Sequence, residues 1–448
     1  MKISKQILIR RWLWRKVPGR PGMIKNCLAL LACCSILLLN GGEVEFIVTG
    51  DLHGRLEKLA LLAPEISKYP RAVKADLGDI VQGNYAMVCA EALPVIEVFN
   101  LLGYDFLIPG NHDLEFGTRV LQRWQRNFRG SILAAQWHLA GLDLPGYRII
   151  ERDGIRIGVI GLGDAGLKKY AGFRRDLTCI DEVSAVRKIV PELKKAGCNA
   201  VVLLCHIAIS NYPVMNRLLR EVPEIDAVIG GHSHREGAGS VSYGVLMAQP
   251  GAYGASAVKL TLVFDEQRKF KFASSCLLRG GKVRDSRIMA IMRRAENAVV
   301  PEADRVLREF AGMREFGMSA AEIIRRAGDG EMAVFSFYAK NFSRKVTGRT
   351  LFRMLSYGNR ISVAWIPQEK IGELRRRFSG ESGYFVTGSS GSGVVKVVMS
   401  DFLLTKVAEL SVKAAVTPLF ERQEIEKALK MPEFKVRDIE KSSRSTKL

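Results

Sequence analysis

The chain has 448 residues, 48% apolar and 25% charged, which excludes a disordered or fibrous protein and leaves apolar material for roughly two or three domains. Its formal net charge of +21 raises nucleic acid, an anionic membrane surface or an anionic substrate as partners. No Lys/Arg run is interleaved with aromatic residues, so the charge reads as dispersed and solubilising, and nucleic acid is not expected.

Residues 1–42 carry eight basic side chains (Lys2, Lys5, Arg10, Arg11, Arg15, Lys16, Arg20, Lys25) and no acid. The apolar run Cys27–Leu39 follows them. It is shorter than the roughly 20 residues needed to cross a bilayer, and it suits the apolar region of an export signal. This segment is expected to direct export to the periplasm or cell envelope, as a cleaved signal or as a lipoprotein or membrane attachment. Arg10-Arg11 hints at a twin-arginine signal, Cys33 at a lipobox, and Met23 at a later start. A buried first helix or strand is the competing reading. Of the eight cysteines, five lie beyond this segment without a CxxC pair, which suits buried apolar residues better than disulfides or zinc ligands.

From residue 43 to about 285, short apolar runs alternate with longer amphipathic segments, the rhythm of a layered α/β domain. Strands are expected at EFIVT (45–49), AVKADL (72–77), DFLIP (105–109) and ILAAQW (132–137). Others are expected in the hairpin 147–162, at AVVLLC (200–205) and at DAVIG (226–230). Residues 286–327 read as a charged helical linker, 328–420 as a second domain and 421–448 as a charged tail. TGSSGSG (387–393) reads as a loop.

Chemistry gathers where the strands of the first domain end. Asp51 and His53 follow the first, Asp79 the second, Asn111 and His112 the third; His206 and the pair His232 and His234 follow later ones. Side chains at the carboxyl ends of neighbouring strands converge on one crevice. The chain has six histidines, and only His138 lies elsewhere. A lone histidine is an ordinary packed residue; five at strand exits are a constellation. Imidazole, carboxylate and amide oxygen without thiolate suit Mn, Zn, Fe or similar divalent ions. Asp51, His53 and His234 can hold one ion; Asn111, His206 and His232 can hold a second; Asp79 can bridge them. Such a pair can clamp a phosphoryl group and generate hydroxide near neutral pH.

The order D-x-H, G-D, G-N-H, H, G-H-x-H resembles the calcineurin-like metallophosphoesterases. GDIVQG (78–83), GNHDLEFG (110–117) and AQPGAYG (248–254) resemble their 5′-nucleotidase branch. The resemblance implies a four-layer αββα sandwich, then a linker helix and a smaller mixed α/β C-terminal substrate domain. It also implies hydrolysis of a small phosphate ester, by default a nucleoside 5′-monophosphate. His112 is implied to face the substrate, with Glu115 orienting its ring and Asp113 serving the loop. In the C-terminal half the match thins. FSFYAKNF (335–342) stands where the family has a Gly-rich, Arg-containing segment, with Lys340 or Arg344 as substitutes. Tyr384, Phe385 and Phe402 are the candidates for gripping a base. A cyclic-nucleotide or nucleotide-sugar phosphodiesterase, a thiosulfohydrolase and a non-catalytic envelope binding protein are the alternatives.

Overall fold

The computed structural model describes residues 41–115, 117–164, 177–337, 339–355, 359–378, 384–388 and 393–431. The expected export segment, apart from its last two residues, and the end of the charged tail lie outside these. Among the described residues no helix is long and apolar enough to cross a membrane.

The N-terminal domain is built on two stacked six-stranded sheets. In chain order its strands are β1 (Glu43–Thr49), β2 (Val73–Asp76), β3 (Phe106–Leu107), β4 (Ser131–Ile132), β5 (Trp137–Leu139), β6 (Tyr147–Arg152) and β7 (Ile155–Leu162). They continue with β8 (Leu177–Cys179), β9 (Ala200–Cys205), β10 (Ala227–Gly230), β11 (Gly237–Ser242), β12 (Val245–Gln249), β13 (Ser256–Phe264) and β14 (Phe270–Arg279). The sheet orders are β14-β13-β1-β2-β3-β4 and β11-β12-β10-β9-β7-β6, with β5 and β8 forming a small ribbon. The runs β1-β2-β3-β4 and β7-β9-β10-β12 are parallel, so their carboxyl ends share an edge.

Strands buried on both faces need apolar residues at consecutive positions, and these have them. Alternate residues such as Phe46, Val48, Ala75, Val159, Val202 and Leu204 interlock between the sheets. The other face of the first sheet meets helices α1 (Leu56–Ile66), α2 (Tyr85–Cys89), α3 (Leu93–Leu102) and α4 (Thr118–Asn127). That of the second meets α5 (Glu182–Lys195) and α6 (Tyr212–Glu221). The result is four layers, helices–sheet–sheet–helices, with one rigid edge for the strand-end residues.

The structure refines several expected elements. ILAAQW is not one strand, because Leu133 still bonds to Leu107 of the first sheet while the N–H of Ala135 donates to Gly161 of the second. The segment crosses between layers there. Residues 286–327 do not run as one helix. Helix α7 (Ser286–Ala303) packs on the N-terminal domain through Ile288, Ile291 and Met292. Strand β15 (Val306–Glu309) follows and pairs with β17 (Lys345–Thr347). Helix α8 (Met313–Ala327) then buries Phe316, Ala320 and Ile324 in a second core.

That core belongs to a smaller C-terminal domain. Its sheet combines β16 (Met332–Ser336), β18 (Arg360–Pro367), β19 (Tyr384–Gly388), β20 (Val394–Ser400) and β21 (Lys413–Phe420) in the order β19-β16-β20-β18-β21. Its helices are α8, α9 (Gly348–Met354), α10 (Gln368–Phe378), α11 (Asp401–Val407) and α12 (Glu421–Leu429). Ile425 and Leu429 of α12 join the same core as α8. The linker and tail boundaries expected from the sequence therefore cut through this domain: amphipathic helices with many charges read as linkers until their apolar stripes find a sheet.

Phe46 is fully buried between the two large sheets. Phe46→Ala is expected to lower the unfolding free energy by about 3–5 kcal/mol, the usual cost of a large core cavity. Urea unfolding followed by tryptophan fluorescence checks this; a loss under about 1 kcal/mol would contradict a packed double-sheet core.

Candidate metal centre

The strand-end residues meet as expected from their positions. The ligand atoms of Asp51, His53 and His234 lie within 4.8 Å of one another, as do those of Asp79, His206 and His232. Asn111 joins the second group, its Oδ1 3.1 Å from His232 Nδ1. Asp79 stands between the groups, with Oδ2 3.2 Å from His206 Nε2 and 3.9 Å from His53 Nε2. His138 is exposed on β5, away from the cluster.

Each turn that presents these side chains is tied to its neighbour. The N–H groups of Asp51, His53 and Gly54 donate to the carbonyls of Gly78, Asp79 and Ile80, so the loops after β1 and β2 zip together. His232 N–H donates to both Asp51 carboxylate oxygens, at 3.2 and 3.0 Å. Gly110 is required by close approach: a Cβ there would lie 2.2 Å from Asp79 Oδ1 and 2.7 Å from the His206 ring.

The tautomers follow from the outer contacts. His206 Nδ1 lies 2.6 Å from the Leu77 carbonyl, and His53 Nδ1 lies 3.1 Å from the Gln82 carbonyl. A carbonyl only accepts, so Nδ1 carries a proton in both rings; His53 keeps a lone pair on Nε2, whereas His206, held charged by Asp79, frees its Nε2 lone pair only when a cation displaces that proton. His53 Nε2 then faces His234 Nε2 at 3.1 Å, and His206 Nε2 faces His232 Nδ1 at 3.3 Å. Lone pairs and carboxylate oxygens aimed at common points, with their outer nitrogens fixed by carbonyls, are the arrangement a divalent cation takes. The donor set is nitrogen and oxygen throughout, as such ions require. The residues present fit two metals.

Charge is unevenly held here. Burial raises the pKa of Asp51 despite opposing His206. Burial also acts to raise Asp79, but the His206 and His112 charges outweigh it and hold this carboxylate ionised. His53 is pushed down to about 4, chiefly by burial, and so stays neutral. Burial opposes charge on His112 as well, but Glu115 and then Asp79 raise its pKa to about 9. His112 Nδ1 sits 2.6 Å from Glu115 Oε1, which orients the ring with Nε2 outward, and its backbone N–H donates to Asp79 Oδ1 at 2.9 Å.

Asp113 serves the loops: fully buried, it accepts N–H bonds from Asp79, Ile80 and Gly110. Three further residues were not singled out from the sequence. Gln249, at the end of β12, donates to Ser233 Oγ and accepts from Ile209 N–H, bracing the His232–His234 turn. Asp164 ends the β7 side, close enough to His206 to favour its charged form. Tyr253 places its hydroxyl 3.1 Å from His234 Nδ1. The motif AQPGAYG contained Gln249 and Tyr253, but only the tertiary contact gives them a role.

The expected base-gripping aromatics are not gathered at this centre. Phe385 stacks on Phe337 at 5.6 Å in the C-terminal core, and Tyr384 lies 5.2 Å from Phe378. Phe402 is 45% exposed at the start of α11, with Lys406 over its ring. These ring contacts lie within the C-terminal domain. A β-strand sends adjacent residues to opposite faces, so Tyr384 and Phe385 on β19 cannot share one pocket wall.

Residues 44–236 match the family model of calcineurin-like phosphoesterases. The 5′-nucleotidase of Rattus norvegicus is 26% identical over 239 residues, covering 46% of this chain and 41% of that protein. A 2′,3′-cyclic-nucleotide 2′-phosphodiesterase/3′-nucleotidase of Haemophilus influenzae is 27% identical over 213 residues, covering 41% of this chain and 32% of that protein. The aligned part thus spans well under half of these relatives. The crystal structure of a 5′-nucleotidase precursor from Thermus thermophilus superposes over 87% of this chain and 96% of its own, at TM-score 0.63 and 17% identity. Both domains therefore share that fold.

Asp113→Ala would strand three buried N–H groups, each costing about 1–3 kcal/mol. The variant is expected to be destabilised by at least about 3 kcal/mol, with Asp113→Asn between it and the wild type because one oxygen remains. Equilibrium unfolding measures both; equal stability of Asp113→Ala and wild type would dismiss the brace.

Proposed function

We propose that this chain, which belongs to the calcineurin-like metallophosphoesterases, is an exported dinuclear-metal phosphohydrolase of the 5′-nucleotidase type. The single observation that carries the reading is the convergence of seven metal-ligating side chains beside the His112–Glu115 pair. Asp51, His53 and His234 are assigned to one ion, Asn111, His206 and His232 to the other, and Asp79 to both. Bound there, two divalent ions such as Mn, Zn or Fe supply water activation near neutral pH and charge neutralisation on a phosphoryl group.

The chain's own part is positioning and proton handling. The strand-end turns hold the ligands rigidly, so the phosphoryl group meets a preformed cage. His112, cationic at neutral pH and aimed by Glu115, stabilises charge on the phosphoryl oxygens or gives its Nε2 proton toward the leaving oxygen. Asp164, at the rim of the second ligand group, adds negative charge that favours cations at this edge. Export rests on the basic, apolar N-terminal segment.

The substrate class is a small phosphate ester, with nucleoside 5′-monophosphates first. The placement of Phe385 in the C-terminal core favours a second reading. The same chemistry would act on an ester whose organic part is not stacked between those aromatics, including a cyclic phosphodiester. A panel of AMP, UMP, a 2′,3′-cyclic nucleotide and bis-p-nitrophenyl phosphate, assayed with Mn²⁺, separates the two. Selective AMP and UMP cleavage supports the first; cleavage of the generic diester alone supports the second. If no ester is turned over by protein that binds two metals, the phosphohydrolase reading fails.

Asp79→Asn is expected to abolish turnover. His112→Ala is expected to lower kcat by about 10²–10⁴-fold while the protein still binds metal. Metal removal should also be visible in stability. Each occupied site at a hundredfold excess over Kd adds about 2.7 kcal/mol, so EDTA should lower the Tm and Mn²⁺ restore it. A Tm indifferent to both would count against the centre.

A further inference from the structure

Tyr253 touches all three candidate ligands of the first metal group. It is 44% exposed, and it lies in a short 3-10 turn after β12 with φ 58°, a left-handed conformation that bulky residues rarely adopt. Its N–H donates to the Asp51 carbonyl at 2.8 Å. Its ring centroid lies 5.4 Å from that of His53 and 5.1 Å from that of His234. Its hydroxyl lies 3.1 Å from His234 Nδ1. The next residue, Gly254 (φ 70°), fixes the turn against α1, where a Cβ would lie 3.0 Å from Leu59 N. One residue thus braces the end of β1 and the His232–His234 turn, which are 181 positions apart.

The hydroxyl contact matters because His234 differs from His53 and His206. His206 and His53 have their Nδ1 protons fixed by backbone carbonyls, which cannot be exchanged by substitution. His234 Nδ1 instead faces a phenol oxygen, which either donates or accepts. If Nδ1 donates to the phenol, Nε2 keeps its lone pair and points toward Asp51 Oδ1 at 3.5 Å and His53 Nε2 at 3.1 Å. The opposite polarity would place a proton on Nε2, in the middle of the ligand group.

We propose that Tyr253 is a positioning residue whose hydroxyl accepts the Nδ1–H of His234 and so fixes that ring as a ligand of the first metal. The proposal rests on the two-metal reading above. It assigns the affinity of one site of the two to a side chain that ligates neither ion. Outer-shell partners of this kind are worth about 10–100-fold in metal affinity.

The test is calorimetric titration of the EDTA-stripped protein with Mn²⁺, for wild type, Tyr253→Phe and His234→Ala, with the Tm of each stripped protein. Tyr253→Phe keeps the ring and removes only the hydroxyl. The expected result is two binding steps in wild type and in Tyr253→Phe, one of them weakened about 10–100-fold in the variant, the other unchanged, and equal Tm without metal. His234→Ala should lose the same step. Tyr253→Phe binding both ions like wild type overturns the proposal and leaves the metal centre standing. Equal weakening of both steps with a lowered metal-free Tm overturns it too, because that is a general packing role. A wild type that binds no Mn²⁺ overturns the proposal together with the two-metal reading.

Discussion

The constraint on which the rest depends is electrostatic: four carboxyl groups, Asp51, Asp76, Asp79 and Asp113, are buried within a few residues of one another at the ends of β1, β2 and β3. Desolvation alone would protonate them all, and mutual repulsion adds to it. Three follow that trend: Asp51 is raised, Asp76 is pushed up to about 8 and Asp113 to about 7, burial being the main cause each time. Asp76 and Asp113 are absorbed as braces, bonded to Thr49 and Gly78 and to the Asp79 loop respectively. Asp79 alone is drawn the other way by imidazoles. The layer therefore separates acids that hold turns together from one acid kept ionised between the two groups by the imidazoles around it.

Holding such a group together costs backbone strain. Asp51, His53, Asp79, His232 and His234 all have positive φ, between 47° and 72°. For residues with a Cβ this is of order 1 kcal/mol or more each. Glycine would relieve the strain but would remove the ligand. The two interlocked sheets supply the rigidity that keeps the turns from relaxing, and the ladder from Asp51, His53 and Gly54 to the β2 loop distributes it across neighbouring strands. A loop-borne site would not hold five left-handed residues in register.

This also explains what could be read from the sequence. The seven candidate ligands were legible because they are chemically distinctive residues at the ends of apolar runs, five of them next to glycine, and the runs of β9 and β10 are apolar without interruption. Strands β11 to β14 were not foreseen: β11 and β14 are edge strands with exposed faces and mixed composition that resemble loops, whereas β12 and β13 are largely buried strands that the sequence reading passed over. Strands β3 and β4 are two-residue ladders, too short for any periodicity. Asp113 read as a loop residue because it lies inside the turn motif, but its three donors come from two different loops. The contact between Tyr253 and His234 depends on a left-handed turn that no local pattern announces. The packing of Phe385 was not legible either: that an aromatic on an edge strand stacks on Phe337 depends on a tertiary contact.

The C-terminal domain reaches the centre indirectly. Phe352 of α9 meets Tyr85 of α2 edge-on at 5.6 Å, and the Arg422 guanidinium of α12 covers Phe352 at 4.9 Å. Burial lowers the pKa of that guanidinium, whose electrostatic neighbours include Cys89 and Glu115. Tyr85 follows Asn84, the N-cap of α2, and two residues earlier Gln82 offers its carbonyl to His53 Nδ1. The domain contact therefore bears on the segment that sets one ligand's tautomer. Its aromatic part is insensitive to salt, whereas the exposed Arg349–Asp304 pair beside it is screened at physiological ionic strength. The second domain thus meets this segment through an aromatic contact at Tyr85, three residues from the Gln82 carbonyl that faces His53 Nδ1.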